Sequence, residues 1–407
     1  VGADQAGLQL ALGLLTHGYQ VTLMSERTPD EVRSGRVRSV SCMFHSALQH
    51  ERDLGLNFWE SQTPRLTGLT VSMVAEDSVP TAGSHGSAAR AVEWTGRLTN
   101  YAQSVDQRVK RAGWMEVFAR RGGQLVIHRA AISDLDYFAG RYDLVLVAAA
   151  RGELVSLFDR DAARSPQEAP RRVRAVSYVH GLRPRTGRGC PETVRWNLVP
   201  GVGELSIVPS FTITGGCHVL SWESVPGGPA DVFQEVCGPE AHLASTLELM
   251  SRYTPWELAG GTEPELTDAG GTLVGGSVPT VRRPVGRLPS GGAVLGVAET
   301  VMASGPLPGQ GAGSAARCAA VYLDRILERG AEPFDEAWMQ GTFDRHWRST
   351  RQVARWTEAM LAEPRSRMLR LLRDAAGSPD LANRFANGFD DPSALAGHFW
   401  GRQRAGA

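Results

Sequence analysis

Val1-Gly2-Ala3-Asp4-Gln5-Ala6-Gly7-Leu8 opens the chain, apolar Leu10, Leu12, Leu14 and Leu15 lead to His17-Gly18, and Tyr19-Gln20-Val21-Thr22-Leu23-Met24 follows. This pattern predicts the stub of a strand, a tight turn, a helix stopped at Gly18 and a second strand. Such a unit turns a helix N-terminus toward an anionic group, and its glycines let a pyrophosphate approach the backbone. Glu26, at the end of the second strand, stands where an acidic residue would hold a ribose hydroxyl. A first strand made of Val1 alone is too short, so we expect it to continue upstream of the first residue.

The second glycine of the G-x-G-x-x-G pattern is replaced by Asp4. An ionised carboxylate about 5 Å from a pyrophosphate costs roughly 3 kcal/mol at an effective dielectric near 20. Three arrangements avoid that cost: Asp4 turns away and caps the helix, a cation screens it, or the site no longer holds a dinucleotide.

A second glycine cluster lies far downstream. Gly291 to Ala298 reads as a short buried strand, followed by Glu299, an irregular segment to Pro306, and Gly309-Gln310-Gly311-Ala312-Gly313. A long helix with Ala316, Ala320, Leu323 and Leu327 at helical spacing then runs to Gly330.

The full chain has 407 residues, enough for two or three domains of about 150. Its 43 basic and 43 acidic side chains cancel, which argues against a nucleic-acid binder and against a polybasic membrane patch. No stretch approaches the roughly 20 apolar residues of a membrane span, so a cytoplasmic protein is expected. The cysteines Cys42, Cys190, Cys217, Cys237 and Cys318 lack metal-ligand spacing. They read as core residues, and no metal site is expected.

Taken in order, these features resemble the flavoprotein monooxygenase fold, specifically the styrene and indole monooxygenase family. The resemblance runs through nearly the whole chain. It rests on Gly2 to Leu8, on Ser25-Glu26-Arg27-Thr28-Pro29-Asp30-Glu31 with Ser34-Gly35-Arg36, and on Ser104-Val105-Asp106-Gln107-Arg108 before a helix. Gly122-Gly123, Tyr142-Asp143-Leu144-Val145 and Pro306-Leu307-Pro308-Gly309-Gln310-Gly311 complete it. It implies FAD, reduced by a separate NADH-dependent flavin reductase, and oxygen transfer through a flavin hydroperoxide.

Carried onto matching positions, the resemblance puts the ADP half of FAD at Gly2, Ala3, Gln5, Ala6 and Gly7, with Glu26 and Arg27 near the adenosine and Arg36 close by. Arg108 would reach the ribityl or phosphate region, Glu299 the ribityl chain, and the run Pro306, Gly309, Gln310, Gly311 and Ala312 the isoalloxazine. Val40, Ser41, Met43, Phe44 and His45 are the pocket candidates, with Ser210 and Trp222 less securely placed. His45 is either a proton donor or a surface histidine. The chain departs from the family at Asp4, at Ala298-Glu299 for a Gly-Asp pair, at Gly305 for an acidic residue and at Ala149-Ala150 for Thr-Gly. Val40 and Phe44 stand at the pocket's asparagine and histidine positions. These departures imply FAD binding that is weak and transient, or a fold that has abandoned the cofactor.

The expected fold class is α/β, a Rossmann-like FAD-binding domain of the flavoprotein monooxygenase (hydroxylase) type. That domain is discontinuous, 1–165 with 265–330. Short strands at Val173 to His180, Thr193 to Val199, Glu204 to Pro209 and Cys217 to Glu223 predict an antiparallel substrate sheet within 166–264. Residues 331–407 form a helical region whose Trp338, Phe343, Trp347, Trp356, Phe385 and Phe389 pack across both halves.

The expected function is FAD-dependent, reductase-coupled monooxygenation of an aromatic or alkene small molecule; the sequence leaves the oligomeric state open, a homodimer being one option. The rival is a flavin-fold protein without redox chemistry: a cofactor-independent lyase, cyclase or isomerase, or a non-catalytic partner.

Overall fold

The computed structural model of the chain describes residues 1–392 other than 82–85, 150, 166–167, 183–191, 260, 262, 277, 304–309 and 362–365. Its first half is organised around the opening residues. The Gly2 amide donates to Met24 O at 3.0 Å, and Val1 O accepts from the Ala148 amide at 2.7 Å. Val1 and Gly2 thereby bridge strand Thr22–Ser25 to the segment around Leu146–Val147. Thr22–Ser25 runs parallel to Gln124–Ile127 on one side, and Leu146–Val147 runs parallel to Ala293–Gly296 on the other. A core of mostly parallel strands results, the architecture expected from strands alternating with helices.

Helix Gln5–Thr16 is buried nearly all round, as its leucine- and alanine-rich sequence requires. One side meets Trp114, Met115 and Phe118 of helix Gln107–Arg120; the other meets Cys318, Tyr322 and Leu323 of helix Gln310–Arg329. A Cβ on Gly13 would lie 2.7 Å from the Leu323 side chain, so this glycine sets the close approach of the two helices.

The second half is a nine-stranded sheet. Its strands Val173–His180, Glu192–Val199, Gly203–Thr212 and Gly215–Ser224 fall where the alternating pattern predicted them. The sheet is wider than the expected 166–264, however, because Cys42–Met43, Leu66–Val74 and Arg90–Ser104 extend it. It is also mixed, since Leu66–Val74 pairs parallel with Glu192–Val199. The period-2 alternation of Thr70 and Ser72 against Leu69, Val71 and Met73 carries this signal, but the register to a strand some 120 residues away does not show in local sequence.

Helix Pro239–Tyr253 covers one face of the sheet, with Leu205, Ile207, Leu220 and Trp222 beneath it. The other face, with Val176, Tyr178, Val208 and Val219, packs on Val40, Cys42 and Phe44 and on helices Ser366–Ala376 and Pro379–Asn387. Phe385 and Phe389 sit in that second core, whereas Trp338 and Phe343 sit in the cores of the first half. The side chain of Trp356 lies outside the described residues. So does Cys190, while Cys42, Cys217 and Cys318 are buried and Cys237 is exposed.

Candidate functional site

The junction of Gly2 with helix Gln5–Thr16 is closed by two glycines that nothing larger can replace. Gly2 has φ +102°, and a Cβ there would lie 2.1 Å from Ala148 O; a Cβ on Gly7 would lie 2.2 Å from Gly2 O. The helix therefore starts hard against the C-terminal ends of the parallel strands, where an open α/β sheet offers its ligand crevice. Asp4 takes the first of the three arrangements open to it. It is the N-cap, and its Oδ1 accepts the Gly7 amide at 3.0 Å. Burial, together with Glu299, raises its carboxyl to about 6 against the lowering effect of the Gly7 N–H and Arg111.

Beside this junction is a cavity walled by Arg27, Arg36, Arg38, Arg108 and Arg111, with Glu26 as its one acid. Glu26 lies 3.8 Å from Arg27 and 3.7 Å from Arg38, and Arg111 donates through Nε to Ala3 O at 2.7 Å. So cationic a wall suits an anionic ligand. Gln107 lines the same cavity, is 8% exposed, and leaves its Oε1 without a partner. Arg38, Arg111 and Gln107 were not singled out by the sequence reading. The spacing of Gln107 and Arg111, four apart on one helix face, is the signal that finds two of them.

Arg108, which also lines this cavity, has its own donors engaged by protein. Its Nε donates to Asp106, Nη1 to Gly35 O and Asp268, and Nη2 to Thr212 and Asp268. All five donors of the guanidinium are thus taken by protein. The side chain is 3% exposed and ties the sheet to the first half, and these carboxylates raise its pKa.

The five pocket candidates divide by strand alternation. Val40 and Phe44 face the sheet core, with Phe44 stacked on Phe389 at 5.7 Å between centroids. Ser41 and Met43 face the first half. Ser41 Oγ accepts from Gln107 Nε2 at 2.6 Å, and Met43 Sδ lies 3.4 Å from Gln5 Nε2 and 3.2 Å from Lys110 Nζ. Gln5 also accepts from Gln107 at 2.6 Å and donates to Ala312 O at 3.1 Å, so this network links the two glycine clusters. Lys110 is neutralised by fully buried Glu51 at 2.7 Å. His45 is half-buried and holds its Nδ1 3.2 Å from Arg52. Ser210 Oγ is bonded to Ser104, and Trp222 faces the opposite side of the sheet, against Tyr253.

At the second cluster, Ala298 has φ +48°, and no other non-glycine among the described residues has positive φ. The backbone keeps a conformation that suits glycine although the residue is alanine. Glu299 follows it, solvent-exposed, its carboxyl raised by desolvation and lowered in turn by Arg151, Arg174 and Arg111. Gly311 and Ala312 lie in the first turn of helix Gln310–Arg329. Pro306 and Gly309, with Gly305, fall outside the described residues, as does the side chain of Gln310. Among the described residues no group of three or more His, Cys, Asp or Glu forms a metal site, and no helix is long and apolar enough to cross a membrane.

A family model described as the styrene monooxygenase A putative substrate binding domain matches residues 150–259. Styrene monooxygenase StyA of Pseudomonas fluorescens is 26% identical over 421 residues, covering 100% of this chain and 95% of the relative. StyA of a Pseudomonas species is 26% identical over 424 residues, with the same coverage. Among solved structures, p-nitrophenol 4-monooxygenase PnpA from Pseudomonas putida DLL-E4 superposes with a TM-score of 0.63 at 13% identity, over 96% of each chain. The flavin-dependent brominase Bmp2 superposes with a TM-score of 0.60 at 12% identity, over 94% of this chain and 92% of its own. The fold is that of these flavoproteins, and over its whole length the chain is similar to styrene monooxygenase.

Proposed function

We propose that the chain is the oxygenase half of a two-component system, which takes reduced FAD from a separate NADH-dependent reductase and adds one oxygen atom to an aromatic or alkene small molecule. The observation that carries this reading is the arginine-walled cavity at the N-terminus of helix Gln5–Thr16, set against the face of the wide sheet.

The residues present fit the ADP half of FAD. Backbone at Gly2, Ala3, Gln5, Ala6 and Gly7 would receive the pyrophosphate, with Arg27, Arg36, Arg38 and Arg111 neutralising it. Glu26 would take a ribose hydroxyl, and the partnerless Gln107 Oε1 would accept from a ligand hydroxyl. Glu299 would face the ribityl chain, with Gly311 and Ala312 at the ring. When bound, the flavin supplies the oxygen chemistry, and the protein supplies position and exclusion of water. Val40, Phe44 and the apolar sheet face keep the reacting end dry, while Ser41 and Met43 tie that wall to Gln5 and Gln107.

The StyA relatives count against the cofactor-independent lyase, cyclase or isomerase reading and against a non-catalytic partner. The test is incubation of the purified protein with FAD, NADH, a flavin reductase and a panel of vinyl-aromatic and indole compounds. Product that requires every component supports the proposal. Turnover that persists without flavin and reductase, or no product from any compound despite reduced flavin, overturns it.

A further inference from the structure

The sheet face that packs on Val40 and Phe44 is apolar through Val176, Val208 and Val219, but it ends in polar residues. Strand register sets Arg174 beside Glu223 and Glu223 beside Glu204 in one row, and Val176, Ser221 and Ser206 side by side in the next. Alternation with a period of two puts Arg174, Glu204, Ser206, Ser221 and Glu223 on the same face as those valines. Glu204 pairs with Arg172 at 3.1 Å. Glu223 Oε1 accepts from Arg174 Nε at 2.5 Å and from Ser221 Oγ at 3.2 Å.

Two atoms of this group have no partner: Glu223 Oε2 and Ser206 Oγ. Glu223 is 3% exposed and Ser206 1%. Leaving a buried acceptor unpaired is unfavourable, and nearly all such groups in folded proteins are satisfied. Burial pushes the Glu223 carboxyl up to about 7 despite Arg174. Arg174 also acts electrostatically on Glu299, just beyond strand Ala293–Gly296 of the first half, so this end of the sheet lies near that strand's end.

We propose that Glu223 and Ser206, held by Arg174 and Ser221, form a substrate-anchoring subsite that accepts a phenol-like O–H or aniline-like N–H on the end of an aromatic substrate remote from the reacting carbon. The preferred substrates are then amphipathic aromatics rather than hydrocarbons. The inference rests on the monooxygenase reading above and deepens it.

Two isosteric probes separate the cases, 4-vinylphenol and 4-methylstyrene, which differ in hydroxyl against methyl. Binding is measured first, by calorimetry without turnover, and epoxide formation second. The test variants are Ser206→Ala and the paired Arg174→Leu/Glu223→Leu, which replaces both members of a buried ion pair and so leaves no uncompensated charge. The expected result is at least tenfold tighter binding of 4-vinylphenol by the wild type, with the ratio collapsing toward one in the paired variant and falling partway in Ser206→Ala. A wild-type ratio of one or less, or a ratio unchanged in the variants, overturns the subsite. Absence of epoxide from both probes, with the binding ratio as expected, counts against the monooxygenase reading and leaves the subsite standing.

Discussion

Replacing Asp4 by asparagine tests how the altered glycine motif handles an anionic ligand. Asparagine is as good an N-cap as aspartate, so the Gly7 amide keeps its partner and the helix its start. Only the charge is removed. A carboxylate about 5 Å from a phosphate, at an effective dielectric near 20, opposes binding by about 3 kcal/mol. Arg111, which acts on Asp4 and is fixed on Ala3 O, offsets part of this. FAD affinity is therefore expected to rise by about 10- to 100-fold at pH 8. The pH dependence carries a sign as well. Burial raises the Asp4 carboxyl to about 6 without ligand, and a bound phosphate raises it further, so binding takes up a proton. Wild-type affinity then strengthens as pH falls from 8 toward 6. Glu299 lies in the same neighbourhood and is also raised, so the difference between the two proteins isolates Asp4. Quenching of flavin fluorescence across pH 6–8 supplies the dissociation constants. Equal affinity within twofold at pH 8, together with parallel pH profiles, refutes the reasoning.

Other expectations concern the frame of the site. Ala298→Gly relieves a left-handed alanine and is expected to stabilise the fold by up to about 1 kcal/mol, read as a raised unfolding midpoint in urea. Gly2→Ala forces a Cβ onto Ala148 O at positive φ and is expected to cost more than about 2 kcal/mol, seen as a lowered Tm or loss of soluble protein. Arg108→Ala leaves Asp106 and Asp268 without their cation and is expected to cost about 3–5 kcal/mol in denaturant unfolding. Because its donors are all engaged by protein, Arg108→Lys is also expected to lower stability more than FAD affinity; the reverse order would return Arg108 to the flavin.

Much of the frame was legible because local chemistry decides it. The buried leucines of Gln5–Thr16, the glycines at 2 and 7, and the four strands between Val173 and Ser224 announce themselves through spacing. Asp4 as a cap was one of three options, and choosing among them required the 3.0 Å contact to Gly7. The width of the sheet was hidden, because the parallel pairing of Leu66–Val74 with Glu192–Val199 depends on long-range register. Arg108 shows a similar limit. The resemblance puts Arg108 at the ligand, while its pairing with Asp268, 160 residues away in sequence, shows in no local pattern. The Glu223 subsite was equally silent, since its strands join distant segments into one row.

The central claim is oxygen transfer driven by flavin delivered from a separate reductase. It is tested most directly by running the reaction under ¹⁸O₂ in unlabelled water, with FAD, NADH and the reductase, and weighing the product by mass spectrometry. The account predicts one ¹⁸O atom per product molecule and no product when the reductase is omitted. Product that carries oxygen from water, or that forms without reduced flavin, would contradict it.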